Sequence, residues 1–175
     1  MNQFYIIDAL GAFTERSKQE SINWSKVNFQ DIEDEGRINF TVSERIVSRF
    51  EKFILKSKAL GYNSVSIDDV AHMIMLPCYS TSTTELLKDY SRLYTQLFSI
   101  AKKYNISVFI NTDYLFFNDD IRRYITTNHI DVSDFFLEVL TLLFKATPDI
   151  SGVILLIGEN DGIDVSGTFL SSLVI

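Results

Sequence analysis

The chain has 175 residues, 46% of them hydrophobic, 22% charged and 13% aromatic, and its formal net charge is -7. That size and apolar content suffice for one domain spanning residues 1–175 with a real core, and they exclude a disordered chain. The acidic balance argues against a nucleic-acid partner, because phosphate recognition needs clustered Lys and Arg.

Cys78 is the one cysteine, which excludes an internal disulfide and a CxxC metal site. The opening MNQFYIIDALGAF lacks a basic n-region and a long apolar h-region. No apolar run reaches the roughly 18 residues of a membrane-spanning helix. The expectation is a soluble, reduced, cytoplasmic protein with no membrane contact.

In chain order, FYII (4–7) is the first buried strand. Residues 14–41 are too polar for a crossover helix, apart from Trp24 and a few neighbours, and read as an enlarged, functional loop. The spacing of Val42, Ile46, Val47, Phe50, Phe53, Ile54 and Leu60 predicts a helix over 42–60, with a capping box at Thr41 and Glu44 and Gly61 at its exit. Lys52, Lys56 and Lys58 fall on its solvated face. SVSI (64–67) is the second strand. A second helix is predicted over about 83–104, carrying Leu86, Leu87, Tyr90, Leu93, Tyr94, Leu97, Phe98 and Ala101, with Ser82 and Glu85 as its capping box. ISVFI (106–110) is the third strand, and a short helical turn is expected at 119–125. A third helix over about 132–146 starts at Asp131 and stops before Pro148, and SGVILLI (151–157) is the fourth strand.

Apolar strands that follow helix ends closely imply a parallel sheet with right-handed crossovers. Val65 to Val108 is 43 positions and Val108 to Val153 is 45, so the strand–helix unit repeats. Ligands of such folds bind at the carboxyl ends of the strands. Here those ends read Asp8, then Asp68-Asp69 with His72 nearby, then Asn111-Thr112-Asp113, then Glu159-Asn160-Asp161. Each delivers an acid at the same end of the sheet. Any single Asp or Asn there also serves as a turn or cap residue. Glu159 fits that role less well, because glutamate forms turns poorly and follows an apolar strand. His72 has two readings, a ligand contact or a packed histidine bonded to an acid. Tyr79, Tyr114 and Trp24 are loop aromatics that would stack on a flat apolar ligand face or join the core. The chain has no GxSxG, GxxxxGK[ST] or GxGxxG motif and no zinc-ligand spacing. Carboxylates without thiols or strong bases point to acid/base work on an uncharged substrate or to Mg²⁺ binding; no cofactor and no resident metal are assigned.

The stretches FEKFILKSKALGYNSVSIDDVAHM, ISVFINTDYLFF and ISGVILLIGENDGIDV resemble the first half of a (β/α)8-barrel glycoside hydrolase of the alpha-glucuronidase-like or a related barrel family. The resemblance spans nearly the whole chain and is one of pattern. It implies an α/β fold in which about four strands and three main helices form half of a TIM-type barrel, acting on or binding a carbohydrate. It implies Glu159 as general acid and Asp8, Asp68, Asp69, His72, Asp113 and Asn160 as substrate-binding residues. Asn160 follows the acid, whereas many members carry Asn before it. Eight units of this repeat would need on the order of 350 residues, so the expectation is a truncated product, a missing half on a second half-barrel chain, or a homodimer. Two other readings stay open. One is a non-catalytic carbohydrate-binding or interaction half-barrel. The other is a Mg²⁺-binding domain resembling two-component receivers, suggested by Asp68-Asp69 and Asp113, although Glu159 stands where a receiver would carry Thr or Ser.

Overall fold

Four parallel β-strands pair strictly in chain order: β1 (Ile6–Asp8), β4 (Ser64–Asp68), β5 (Ser107–Thr112) and β6 (Gly152–Leu155). The structure, a computed structural model, describes residues 3–14, 27–112 and 119–155. The chain is therefore α/β, as the alternation of strand and helix patterns predicts. Between β1 and β4 come α1 (Leu10–Phe13), a small hairpin of β2 (Glu33–Asp34) and β3 (Arg37–Ile38), and α2 (Phe40–Ala59). The helix α3 (Thr81–Lys103) joins β4 to β5, while α4 (Asp119–Asn128) and α5 (Val132–Ala146) lie between β5 and β6.

The register divides the sheet into two chemically different faces. Pairing of Val65 with Val108 and of Ile110 with Val153 aligns Ile7, Val65, Ile67, Val108, Ile110 and Val153 on one side. That side forms a single cluster with Ile46, Phe50 and Ile54 of α2, Tyr90, Leu93, Tyr94 and Leu97 of α3, and Phe135, Val139 and Leu143 of α5. Strands added in one direction by crossovers of one hand bring their helices to one face, and α2, α3 and α5 contribute to this single core. The opposite face carries Asp8, Ser64, Ser66, Asp68, Ser107, Asn111 and Gly152, together with Ile6 and Ile154. Phe109 lies on that face as well, and a Cβ added to Gly152 would come 3.0 Å from its ring. Glycine there makes room for the aromatic.

Three helices end through the same device. At the exit of α2 the Tyr62 N–H donates to the Ser57 carbonyl (3.0 Å) and the Gly61 N–H to Lys58 (3.0 Å), with Gly61 at φ 92°. Asn105 (φ 54°) and His129 (φ 52°) hold the equivalent position after α3 and α4. This paired closure satisfies the last carbonyls and needs a residue that tolerates left-handed backbone. After α2 and α3 it aims the chain directly into β4 and β5.

The helix starts correct the expected ones. Asn39, not Thr41, caps α2 by accepting from the Val42 N–H (3.2 Å), so the helix begins at Phe40. Ser80, not Ser82, caps α3 through the Thr83 N–H (3.2 Å). Asp131 caps α5 as expected, accepting from the Ser133 N–H. The turn expected at 119–125 is a full helix, and the described part of the polar 14–41 segment contains the β2–β3 hairpin, not loop alone. No helix among the described residues is long and apolar enough to cross a membrane.

Asn105→Val is expected to lower stability by about 1–2 kcal/mol, the cost of forcing a β-branched residue left-handed, whereas Asn105→Gly holds or raises it. Urea unfolding of the two variants checks this, and coincident midpoints would show that the exit of α3 needs no left-handed residue.

Candidate functional site

Residues at the carboxyl ends of β1, β4 and β5 form one hydrogen-bonded group. The Asn111 amide nitrogen donates to Asp8 Oδ2 at 2.9 Å and to Asp68 Oδ1 at 3.0 Å. Its two N–H groups thus serve two carboxylates on two different strands. The Ser66 hydroxyl donates to Asp8 Oδ2 (3.0 Å), and the Leu10 N–H, opening the short α1, donates to Asp8 Oδ1 (2.7 Å). Asp68 Oδ2 accepts from the Val27 N–H at 2.7 Å, a contact that draws the long excursion after β1 back over the strand ends.

The two carboxylates differ in environment. Asp8 is exposed at the rim, while Asp68 retains only 7% of its surface. Burial pushes the Asp68 carboxyl up to about 6, against the opposing pull of the Val27 and Asn111 donors; the charges of Asp69 and Asp8 raise it further. Beneath it, the Tyr94 hydroxyl donates to the Asp68 backbone carbonyl (2.6 Å), and burial keeps that phenol well above its ordinary range.

A second group adjoins the first. Asp69, joined to Asp68 by a cis peptide bond, caps the 3₁₀ turn Val70–His72: its Oδ1 accepts from the His72 N–H (3.0 Å) and meets Nδ1 of the same residue at 2.6 Å. The imidazole stacks on Phe29 with centroids 3.6 Å apart and planes 15° apart, and it meets Tyr90 edge-on at 4.7 Å. The Tyr90 hydroxyl donates to Glu33 Oε1 (2.8 Å), so the excursion is anchored at a second point. A third anchor is the fork from Arg37 Nε and Nη2 to Asp89, at 2.6 and 2.9 Å. The Arg37 hydrogen bonds hold the Asp89 carboxyl below its usual range.

Of the seven residues expected to form the site, Asp8 and Asp68 share one network, and Asp69 pairs with His72. The reading of His72 as a histidine packed against an acid matches its geometry. Asp113, Glu159 and Asn160 lie outside the described residues, as do Trp24 and Tyr114. Ser66 and the Val27 N–H are not among the expected residues, and Asn111 stands at an expected strand end without a site role, although it carries the network. Its signal is positional: Asn111 pairs with Asp68 in register and so shares its face. No group of three or more His, Cys, Asp or Glu side chains among the described residues is arranged to hold a metal ion.

No protein-family model, curated protein or solved structure matches this chain.

Asn111→Ala removes the donor between two carboxylates and is expected to cost about 1–3 kcal/mol of stability. The loss is larger above pH 6, where Asp68 is ionised, than in acid. Urea titrations at the two pH values test this, and a pH-independent loss would show that the amide does not serve the ionised carboxylates.

Proposed function

We propose that the chain is a carbohydrate-directed β/α domain built as half of a (β/α)8 barrel of the glycoside hydrolase type. The observation that carries this reading is the Asp8–Asn111–Asp68 group at the carboxyl end of a sheet wound in one direction. Asp8 is rigidly held, exposed, and retains acceptor capacity: its Oδ1 takes one donor, and a carboxylate oxygen accepts two. A fixed acceptor of this kind suits the hydroxyl donors of an uncharged sugar. Sequential strand order with helices on one side is the pattern of a barrel wall, and the opposite face, with its serines, Asn111 and two aspartates, is what a barrel would turn inward to its site.

Within this reading Glu159, four positions beyond Leu155 at the end of β6, supplies the general acid. Asp8, Asp68, Asp69, His72, Asp113 and Asn160 surround the sugar. Glycoside cleavage needs a second carboxylate about 5–9.5 Å from the first. The other half of the barrel would supply it. A cytoplasmic location belongs to the same proposal.

A second reading, binding without turnover, is favoured by Asp68 itself, because both of its oxygens already accept protein donors. The receiver-like reading fits the strand order less well. Flavodoxin-like sheets run 2-1-3-4-5, with the first strand inside, whereas among the described residues β1 lies at the edge.

Hydrolysis of an aryl-glycoside panel, with sugar binding followed by calorimetry, tests the proposal. Asp8→Ala is expected to weaken binding at least tenfold. Glu159→Gln is expected to leave binding intact and lower turnover by roughly a hundredfold or more, the scale of general acid catalysis. Saturable binding with no turnover in wild type selects the binding module. An absence of both binding and turnover on every sugar removes the carbohydrate assignment.

A further inference from the structure

Asp69 does more at the end of β4 than cap a turn. Its Oδ1 accepts from the His72 N–H at 3.0 Å, which alone closes the 3₁₀ turn Val70–His72, and the same oxygen lies 2.6 Å from His72 Nδ1. A cap needs only the first contact, and serine or asparagine would make it. The second depends on an imidazole. A carboxylate oxygen that is already an acceptor has no proton to give, so the hydrogen in the shorter contact sits on Nδ1. In a neutral ring that leaves the lone pair on Nε2.

Two aromatic neighbours hold the ring in this arrangement. Phe29 covers one face, with centroids 3.6 Å and planes 15° apart, and fully buried Tyr90 meets it edge-on at 4.7 Å. Among the described residues no group pairs with Nε2, and Nε2 is not one of the polar atoms sealed without a partner. With 21% of the side chain accessible, that nitrogen reaches solvent. Packing alone does not explain this. Phenylalanine would stack on Phe29 as well, and a buried polar ring is ordinarily bonded at both nitrogens. Here one nitrogen is fixed by a carboxylate and the other is open, at the same end of the sheet as Asp8.

We infer that Asp69 and His72 form a proton-transfer pair, in which Nε2 accepts the proton of a water molecule or hydroxyl group bound at the end of β4. Asp69 is the positioning residue. As the O–H bond breaks, the proton passes to Nε2 and the oxygen keeps the electron pair. The imidazolium that results lies against the Asp69 carboxylate until Nε2 returns its proton to solvent. A base oriented by a second group is the arrangement that activates hydroxyl nucleophiles. The inference deepens the carbohydrate reading by naming the group that meets a sugar hydroxyl, and it rests on that reading only for the substrate.

The chain has two histidines, and exposed His129 gives the reference for His72. Two-bond proton–nitrogen-15 correlation spectra at about pH 8, where an ordinary imidazole is neutral, test the pair without any sugar. His72 is expected to favour the Nδ1–H tautomer by about tenfold or more, the scale of a charge-assisted hydrogen bond. Asp69→Ser, whose hydroxyl caps the turn but stops one bond short of the ring, is expected to fold and to return His72 to the His129 pattern. Diethyl pyrocarbonate, which acylates an accessible unprotonated imidazole nitrogen, is expected to modify both histidines of the folded wild type. His72 as the Nε2–H tautomer in wild type, an unchanged Nδ1–H tautomer in Asp69→Ser, or modification of His129 alone overturns the inference. The two wild-type measurements decide even where the variant does not fold. They stand whether or not a sugar binds, so their failure and the failure of the carbohydrate assignment are read separately.

Discussion

One side-chain amide holds the strand-end group together. Asp8 ends β1 and Asp68 ends β4, so a sheet that aligns these strands brings two acids to neighbouring positions. Asn111, from the next strand, gives one N–H to each. Few side chains can do this. A hydroxyl has one proton to donate, and a lysine would carry a long stem and a strongly hydrated charge into a nearly closed space. The uncharged amide supplies two donors from one atom, on a stem short enough to be fixed. The bond to Asp8 spans 103 residues of sequence and depends wholly on register. A slip of one residue in β5 would turn Asn111 toward the helices and leave both acids without their shared partner.

The elements were legible in the sequence because their signals are local. Apolar period placed α2, α3 and α5, and β-branched runs next to helix exits placed the parallel strands. Gly61, with its positive φ, was readable as a helix exit from residue type alone. The starts of α2 and α3 were harder, since capping is a contest between adjacent polar residues. Asn39 prevails over Thr41 and Ser80 over Ser82, and only backbone geometry shows which residue is extended at the turn. The β2–β3 hairpin left no apolar alternation to read. Its strands are two residues each, and its turn uses Glu35 and Gly36 at positive φ, with no dipeptide that marks it in advance.

The site was half legible for a related reason. Composition and position identify an acid at a strand end, which is how Asp8 and Asp68 stand out. They do not show which neighbour satisfies it. Asn111, Ser66 and the Val27 N–H are ordinary in isolation and matter through pairings that only the sheet and the returning excursion create. Asp69 and His72 illustrate the converse. Both looked like rim groups, yet three positions of separation on a tight turn make them partners of each other before any ligand arrives.

The contrast between the two sheet faces ties fold to chemistry. Parallel sheets are ordinarily apolar on both sides because helices cover both. Here the helices take one side, and burial of Val65, Ile67, Val108 and Ile110 stabilises the fold at about 1.5–3 kcal/mol per fully buried side chain. The other face is relieved of that duty and carries serines, an asparagine and two aspartates beside Ile6, Phe109 and Ile154. A buried carboxylate such as Asp68 is unfavourable for folding, and a serine or asparagine in its place would lower that cost. Its environment offsets the cost only in part: two N–H donors steady the ionised form, while like charges at Asp8 and Asp69 and the loss of water oppose it. A core residue selected for stability alone would not sit at this balance.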